Sequence, residues 1–147
     1  MIRLNFDSIN DAIKYIEGVC QNGLKSMGKE MTDIMEDEIF NQIYLDHIPK
    51  YYERTGDLLD TPKATVSTNS VSAEFEDNGD WSSVRKGHPH FFPLIAWEET
   101  GTVWRSKDDG GGFYPKTKIV DKSYQRCDKE IPPKFKEYLI KKGLDVK

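Results

Sequence analysis

Two histidines in the middle of the chain have the residue type and spacing that could bind a metal ion. His88 and His90 are separated only by Pro89. Carboxylates follow at Glu98, Glu99, Asp108 and Asp109. Because zinc and manganese sites use imidazole and carboxylate ligands, a metal-dependent hydrolase or nuclease is one hypothesis. A lone His-x-His pair is not specific, however, and neither HExxH nor GxxxxGK followed by Ser or Thr occurs in the chain. We therefore expect no catalytic metal and no other cofactor.

The signatures of a catalytic nucleophile are also missing from the sequence. No serine lies in a G-x-S-x-G turn. Cys20 and Cys127 lack the basic or glycine-rich surroundings that favour a thiolate. Both lie among regularly spaced apolar residues, which predicts that they are small core residues. The sequence therefore predicts a protein that is not an enzyme.

The composition indicates one globular domain with unevenly distributed charge. The chain has 147 residues, 12% of them aromatic, and a net charge of −4, and this length suits a single domain. Residues 1–115 carry 11 basic and 20 acidic side chains, whereas residues 116–147 carry 10 basic and 5 acidic ones. This asymmetry suits either head-to-tail association between copies or a solvated basic helix at the end of the sequence.

The composition and the distribution of apolar residues argue against two classes of partner, tightly bound nucleic acid and membranes. A pI of about 5.4 disfavours tight binding to nucleic acid phosphates, although DNA could still pass an acidic surface without specific binding. The sequence contains no apolar run near the roughly 20 residues that a membrane span needs, and its first residues lack the apolar core of a signal peptide. We therefore expect no membrane partner and a cytosolic site of synthesis.

The first fifty residues have the pattern of a long amphipathic helix. Ser8 and Asp11 form a variant of the capping box that begins helices. Gly23 closes the sequence Gln-Asn-Gly, which could divide the helix in two, and Pro49 is expected to end it. The apolar positions recur at intervals of three and four residues: Ile9, Ile13, Ile16, Cys20, Leu24, Met27, Met31, Ile34, Met35, Ile39 and Ile43.

The rest of the chain changes to strand-like alternation and then returns to a helix. Residues 64–68 and 71–75 alternate as two strands, with a tight turn at Asn69 and Ser70. A polar loop at 77–90, a possible third strand at 103–106 and a mobile glycine-rich loop at 107–112 are expected to follow. The last helix carries the stripe Val120, Tyr124, Cys127 and Ile131, which Pro132 and Pro133 interrupt, and ends before Gly143.

This order of elements predicts an α+β fold in one domain, residues 1–147. A long N-terminal helix and a C-terminal helix would pack on a small antiparallel sheet. Its three parts are a helical region at 1–50, a motif with hairpin and loop at 51–106, and the mobile loop with the last helix at 107–147.

A short motif between the long helix and the hairpin points to a family. The sequence YYERTGDLLDT (51–61) resembles the Tyr-x-Arg-Thr-Gly-x-Leu motif of the neck and tail-completion proteins of long-tailed bacteriophages. A second mark of that family, an apolar segment running into Glu-x-Gly-Thr, is similar to IAWEETGT at 95–102. The family's later approach to its last helix has a second proline and an alanine that FYPKTKIVDKSY at 113–124 lacks. The matching positions are Tyr52, Arg54, Thr55, Gly56, Leu58, Leu59, Glu99, Gly101 and Thr102.

The resemblance implies a structural role in the virion. Members of this family form a homo-oligomeric ring that joins head to tail and lets DNA pass. The implied partners are head-closure or connector proteins and tail-tube or tail-terminator proteins. The implied locations are the neck or tail of the virion and, during assembly, the host cytoplasm.

The motif residues allow two interpretations. Arg54 could pin a corner between helix and sheet, because a guanidinium holds two oxygens in one plane, and Gly56 would permit a positive φ there. Alternatively, Arg54 could contact a neighbouring subunit directly. Trp81, in the polar loop, is a further candidate for an interface, although its ring could equally fold back onto the sheet.

Overall fold

The fold is α+β, as the sequence predicts. The computed structural model describes residues 3–45, 57–76 and 118–147. Its elements are helix α1 (Ile9–Ile39), a π-helical turn (Phe40–Tyr44), a 3-10 turn (Asp57–Asp60), strands β1 (Pro62–Val66) and β2 (Val71–Phe75), and helix α2 (Ile119–Lys141).

Helix α1 begins where the sequence predicts. The Ser8 hydroxyl accepts a hydrogen bond from the Asp11 backbone N–H at 3.2 Å and donates one to the Asp11 carboxylate at 2.7 Å. This cap satisfies one of the amide groups that the first helical turn leaves without a partner. The helix then runs for 31 residues, about 46 Å at 1.5 Å per residue.

The expected break of α1 at Gly23 is wrong, because the helix continues through it. A Cβ at Gly23 would come within 2.7 Å of Phe135 and 3.0 Å of Tyr138, both on α2. A Cβ at Gly28 would come within 3.2 Å of the Ala64 Cβ on β1. These glycines therefore let α2 and the hairpin approach α1 closely. Since they are five residues apart, they point about 140° from each other around the helix axis, and α1 lies between its two neighbours.

The two strands pair as the antiparallel hairpin that the alternation predicts. The register differs from that of a two-residue turn at Asn69 and Ser70, which would pair Thr68 with Val71. Val66 pairs with Val71 and Ala64 with Ala73 in an antiparallel ladder. The predicted two-residue turn is wrong, however, since Thr68 belongs to a four-residue loop, 67–70. The Ser67 N–H donates to the Ser70 carbonyl at 2.9 Å, and their hydroxyls lie 2.6 Å apart. The loop has no glycine for the tightest turns, and the serine side chains close it instead.

Helix α2 is continuous through the prolines that were expected to interrupt it. Pro132 and Pro133 lie inside the helix and are exposed. Each removes a backbone donor, but the carbonyls that lose their partners belong to Asp128 and Lys129, which are also exposed and can bind water instead. Contacts with α1 on both sides of the prolines hold the helix together.

The predicted end of α2 at Gly143 is confirmed. Gly143 has φ 85°, the left-handed conformation that glycine adopts most easily. The Leu144 N–H donates to the Leu139 carbonyl at 3.1 Å and the Gly143 N–H to the Ile140 carbonyl at 2.9 Å. This pair of bonds is the Schellman motif that ends many helices.

The core fills the space between α1, α2 and the hairpin. Met35, Ile39 and Ile119 are completely buried. Cys127 is buried, as predicted, whereas Cys20 is half-buried. The helices are antiparallel, since Tyr15 near the start of α1 donates to the Lys142 carbonyl after α2, at 2.9 Å.

Several predicted elements lie outside the described residues. They are the helix end at Pro49, the loop at 77–90, the strand at 103–106 and the glycine-rich loop at 107–112.

Candidate functional site

Most of the residues that the sequence predicts as a site lie outside the described part of the chain. This holds for Tyr52, Arg54, Thr55, Gly56, Trp81, Glu99, Gly101 and Thr102, and for His88 and His90. The two interpretations of Arg54, as a corner or as a subunit contact, therefore both remain predictions.

The end of the motif is described, and it leads from the helical region into the hairpin. Leu58 and Leu59 belong to the 3-10 turn Asp57–Asp60, which packs against α1, and Leu59 is half-buried. Thr61 follows, completely buried, and its carbonyl accepts a hydrogen bond from the Glu76 N–H at 2.7 Å. That bond closes the base of the hairpin, so this part of the motif fixes the sheet to α1.

The most concentrated group of charges in the described residues is a cluster around Arg126 on α2. One guanidinium nitrogen, Nη1, donates to Asp37 at 2.7 Å and to Glu38 at 2.8 Å, both on α1, and Nε donates to Glu130 at 3.1 Å. The hydrogen bonds to Asp37 and Glu38 raise the pKa of the Arg126 guanidinium above its ordinary value. The planar guanidinium suits such multiple contacts better than an ammonium group.

Two further polar contacts tie the helices together along their length. Lys134 donates to Glu30 at 2.5 Å, and this hydrogen bond raises the pKa of the Lys134 ammonium group. At the opposite end of the contact between α1 and α2, Lys122 donates to the Gln42 side chain at 3.2 Å. The acidic side chains of α1 and the basic side chains of α2 are therefore partly matched within one chain. Part of the charge asymmetry that the sequence suggested for association between copies thus serves the fold.

A shallow groove of about 330 Å³ opens beside this cluster. Its walls come from α1 and the first half of α2: Glu38, Lys122, Gln125, Arg126 and Lys129. Arg126 and Glu38 already bind each other, and Lys122 binds Gln42. Three of the five lining groups are thus engaged in holding the helices together, which indicates a structural role for this surface.

The described residues contain little that could do chemistry. No group of three or more His, Cys, Asp or Glu side chains within them could hold a metal ion. Burial raises the pKa of the Cys127 thiol, which disfavours a thiolate. Within residues 3–45, 57–76 and 118–147, neither helix combines the length and low charge that crossing a bilayer requires.

An open apolar face at the start of α1 is the feature that sequence reasoning missed. Ile9, Ile13 and Ile16 belong to the stripe that was expected to pack in the core, yet they are 80%, 47% and 44% exposed. From Cys20 to Ile39 the residues of the same stripe are half-buried or buried. The lengths of the elements could have indicated this exposed face. A strand of five residues spans about 17 Å and cannot cover a helix of about 46 Å.

The chain matches no family model, and neither the curated proteins nor the solved structures gave a match.

Proposed function

We propose that this chain is a structural component of a long-tailed phage virion. It acts as a neck or tail-completion protein in the ring that joins head to tail and lets DNA pass. It is not an enzyme in this proposal, and its partners are further copies of itself, head-closure or connector proteins, and tail-tube or tail-terminator proteins.

The observation that carries the proposal is the paired motif. YYERTGDLLDT at 51–61 and IAWEETGT at 95–102 occur in the order, and around the hairpin, that the phage family has. The described end of the first motif supports an architectural role, because Leu59 and Thr61 are drawn into the contact between α1 and the sheet. No catalytic arrangement is needed to explain those residues.

The electrostatics of α1 are compatible with a wall beside DNA. Acidic side chains such as Glu17 and Glu36 are exposed on α1. A net negative surface repels phosphates and would keep a moving genome from adhering. The ring itself requires contacts between unlike surfaces of neighbouring copies, which close when the rotation between them allows it.

The test is to disrupt the gene of this chain in the genome that carries it and to examine the particles by negative-stain electron microscopy. We expect full heads and tails that remain separate, with joined particles restored when the parent protein is supplied. Arg54→Ala should fail to restore joining, whereas Arg3→Ala, a substitution at an exposed arginine before α1, should restore it. Joined, infectious particles in the absence of the chain would contradict the proposal.

The alternative from the sequence, a metal-dependent hydrolase or nuclease, has a separate readout. Elemental analysis of untagged protein should find no stoichiometric transition metal. A bound metal that is lost in the His88→Ala and His90→Ala variants, together with a hydrolytic activity lost in the same variants, would replace the structural proposal by the enzymatic one.

A further inference from the structure

The apolar N-terminal face of α1, formed by Ile9, Ile13 and Ile16, is the part of the described surface that most requires a covering partner. These side chains continue the stripe that packs in the core, and nearly half or more of each is exposed. We propose that this face pairs with the same face of a second copy, with the two α1 helices antiparallel.

The points at which the chain leaves and re-enters the described residues lie far from this apolar face. The hairpin loop reaches α1 at Gln21, whose side-chain amide donates to the Ser67 carbonyl at 3.0 Å and also to the Thr68 carbonyl. The open end of the hairpin therefore lies toward the C-terminal half of α1, and α2 begins there too, since Lys122 binds Gln42. The chain leaves the described part at Glu76 and returns at Lys118 near that end. Gln42 and Ile16, the nearest isoleucine of the apolar face, are 26 residues apart along the chain, which is roughly 39 Å of helix.

The spacing of the three isoleucines is that of a helix–helix seam. Intervals of four and three residues place Ile9, Ile13 and Ile16 in one row, as in paired helices. In an antiparallel pair, Ile13 of each copy lies opposite Ile16 of the other. Cys20, which is half-buried, continues the row and would lie opposite Ile9.

The flanks of the seam favour the antiparallel orientation. Asn10 and Glu17 lie on one flank and Ala12 on the other, and both polar side chains are exposed. Antiparallel pairing brings the Asn10 amide of one copy opposite the Glu17 carboxylate of the other, twice, so that donor meets acceptor. Parallel pairing would place the Glu17 charge against Ala12. In an antiparallel pair the two helix dipoles also point in opposite directions, which is electrostatically favourable.

The size of the face predicts a weak pair. Three partly exposed isoleucines supply far less than the roughly 800 Å² per partner of a standard stable interface. The pair should therefore form only at high protein concentration. Because the same face is used by both copies, the contact closes on itself and stops at a dimer. It is thus distinct from any ring contact and does not depend on the proposed function.

Sedimentation velocity over a wide concentration range tests the pairing. We expect the parent chain to shift from monomer to dimer as concentration rises. Ile13→Asp should remain a monomer at every concentration, with an unchanged Tm in dilute solution. Ile140→Asp is the matched control, because Ile140 is an isoleucine of α2 with 49% exposure, and it should dimerise as the parent does.

Other outcomes would overturn the inference. A parent chain that is monomeric throughout, combined with a lower Tm for Ile13→Asp, would show that another segment of the same chain covers the face. Equal loss of dimer in Ile13→Asp and Ile140→Asp would place the contact elsewhere.

Disulfide trapping tests the orientation. Ile13→Cys and Ile16→Cys chains, each in a Cys20→Ser background, are mixed and oxidised. We expect disulfides between the two different variants to exceed those between identical chains at least severalfold. A predominance of disulfides between identical chains would indicate parallel helices and contradict the antiparallel pair.

Discussion

Gly23 of α1 lies directly beneath Phe135 of α2, so close that a Cβ on Gly23 would stand 2.7 Å from the Phe135 ring. The Tyr138 ring borders the same position at 3.0 Å. The two helices approach each other here because one of them lacks a side chain.

Gly23→Ala is therefore expected to destabilise the protein. The added methyl group would push both aromatic rings out of place. Overpacking of this kind costs about 1–3 kcal/mol, which exceeds the gain of up to about 1 kcal/mol in helix propensity that the alanine also brings. Gly18→Ala is the control, since a Cβ at Gly18 would meet nothing within 4 Å. There the gain in helix propensity should stabilise by up to about 1 kcal/mol. Urea denaturation of both variants checks the opposite signs, and stabilisation by both would contradict the close approach.

Replacing Arg126 should weaken the attachment of α2 to α1. Arg126→Met leaves the carboxylates of Asp37 and Glu38 without their shared donor, and the Glu38 side chain is only 13% exposed. After allowance for solvent screening, we expect a loss of about 1 kcal/mol. Lys29→Met removes an exposed pair within one helix, Lys29 with Asp33, and should cost less than Arg126→Met, because solvent screens an exposed pair. Denaturant titrations of both variants in low and high salt compare the losses in the free energy of unfolding. Equal losses would show that the cluster around Arg126 contributes no more than a surface ion pair.

Ser123→Ala should stabilise the protein. Ser123 is completely buried, and among the side chains that the structure describes as buried, its hydroxyl oxygen lacks a hydrogen-bond partner. An unsatisfied buried hydroxyl costs about 1–3 kcal/mol, so its removal should raise the free energy of unfolding by about 1 kcal/mol or more.

Ser26→Ala on the exposed side of α1 provides the control for this serine substitution. It should yield only the helix-propensity gain of about 0.5 kcal/mol. Thermal melts of the two variants measure the difference, and a destabilised Ser123→Ala would mean that the hydroxyl binds a partner such as a buried water.

Glu36 should make stability depend on pH. Burial, together with the charges of Asp33 and Asp60, raises the pKa of the Glu36 carboxyl above its ordinary value. The folded chain therefore binds the proton more readily than the unfolded chain, and stability falls as the pH rises from the ordinary value through the raised one.

Glu36→Gln should accordingly stabilise at pH 7, by less than about 0.5 kcal/mol because the side chain is largely exposed. The benefit should disappear below the ordinary glutamate pKa. Urea denaturation of the parent and of Glu36→Gln at a series of pH values measures this benefit. A Glu36→Gln benefit that is constant across pH would rule out the mechanism.

The elements governed by local chemistry could be predicted from the sequence. Ser8 and Asp11 predict the start of α1, Gly143 predicts the end of α2, and the alternation from Val71 to Phe75 predicts the second strand. In each case the signal lies within a few neighbouring residues, where capping, left-handed φ or side-chain alternation acts.

Features that depend on distant contacts could not be predicted in the same way. The sequence around Gly23 predicts a helix break, because the partner that favours a glycine there, Phe135, is more than a hundred residues away. Pro132 and Pro133 interrupt a helix in isolation, but α1 holds α2 on both sides of them. The start of α2 carries no local signal either, since Lys118 adopts φ 48° and provides no side-chain cap. The candidate site at Arg54 and Gly56 still rests on the motif alone.

The antiparallel arrangement of α1 and α2 gives the molecule an unequal response to mechanical force. Residues 3 and 147 lie at the same end, beside the hydrogen bond from Tyr15 to Lys142. Tension between those residues would load that bond first, then the contacts at Glu30, those at Asp37 and Glu38, and finally the one at Gln42, so that α2 peels away one contact at a time. Tension between Leu45 and residue 147 would instead slide the helices along each other and strain all these contacts together. The fold should therefore yield easily in the first direction and resist in the second.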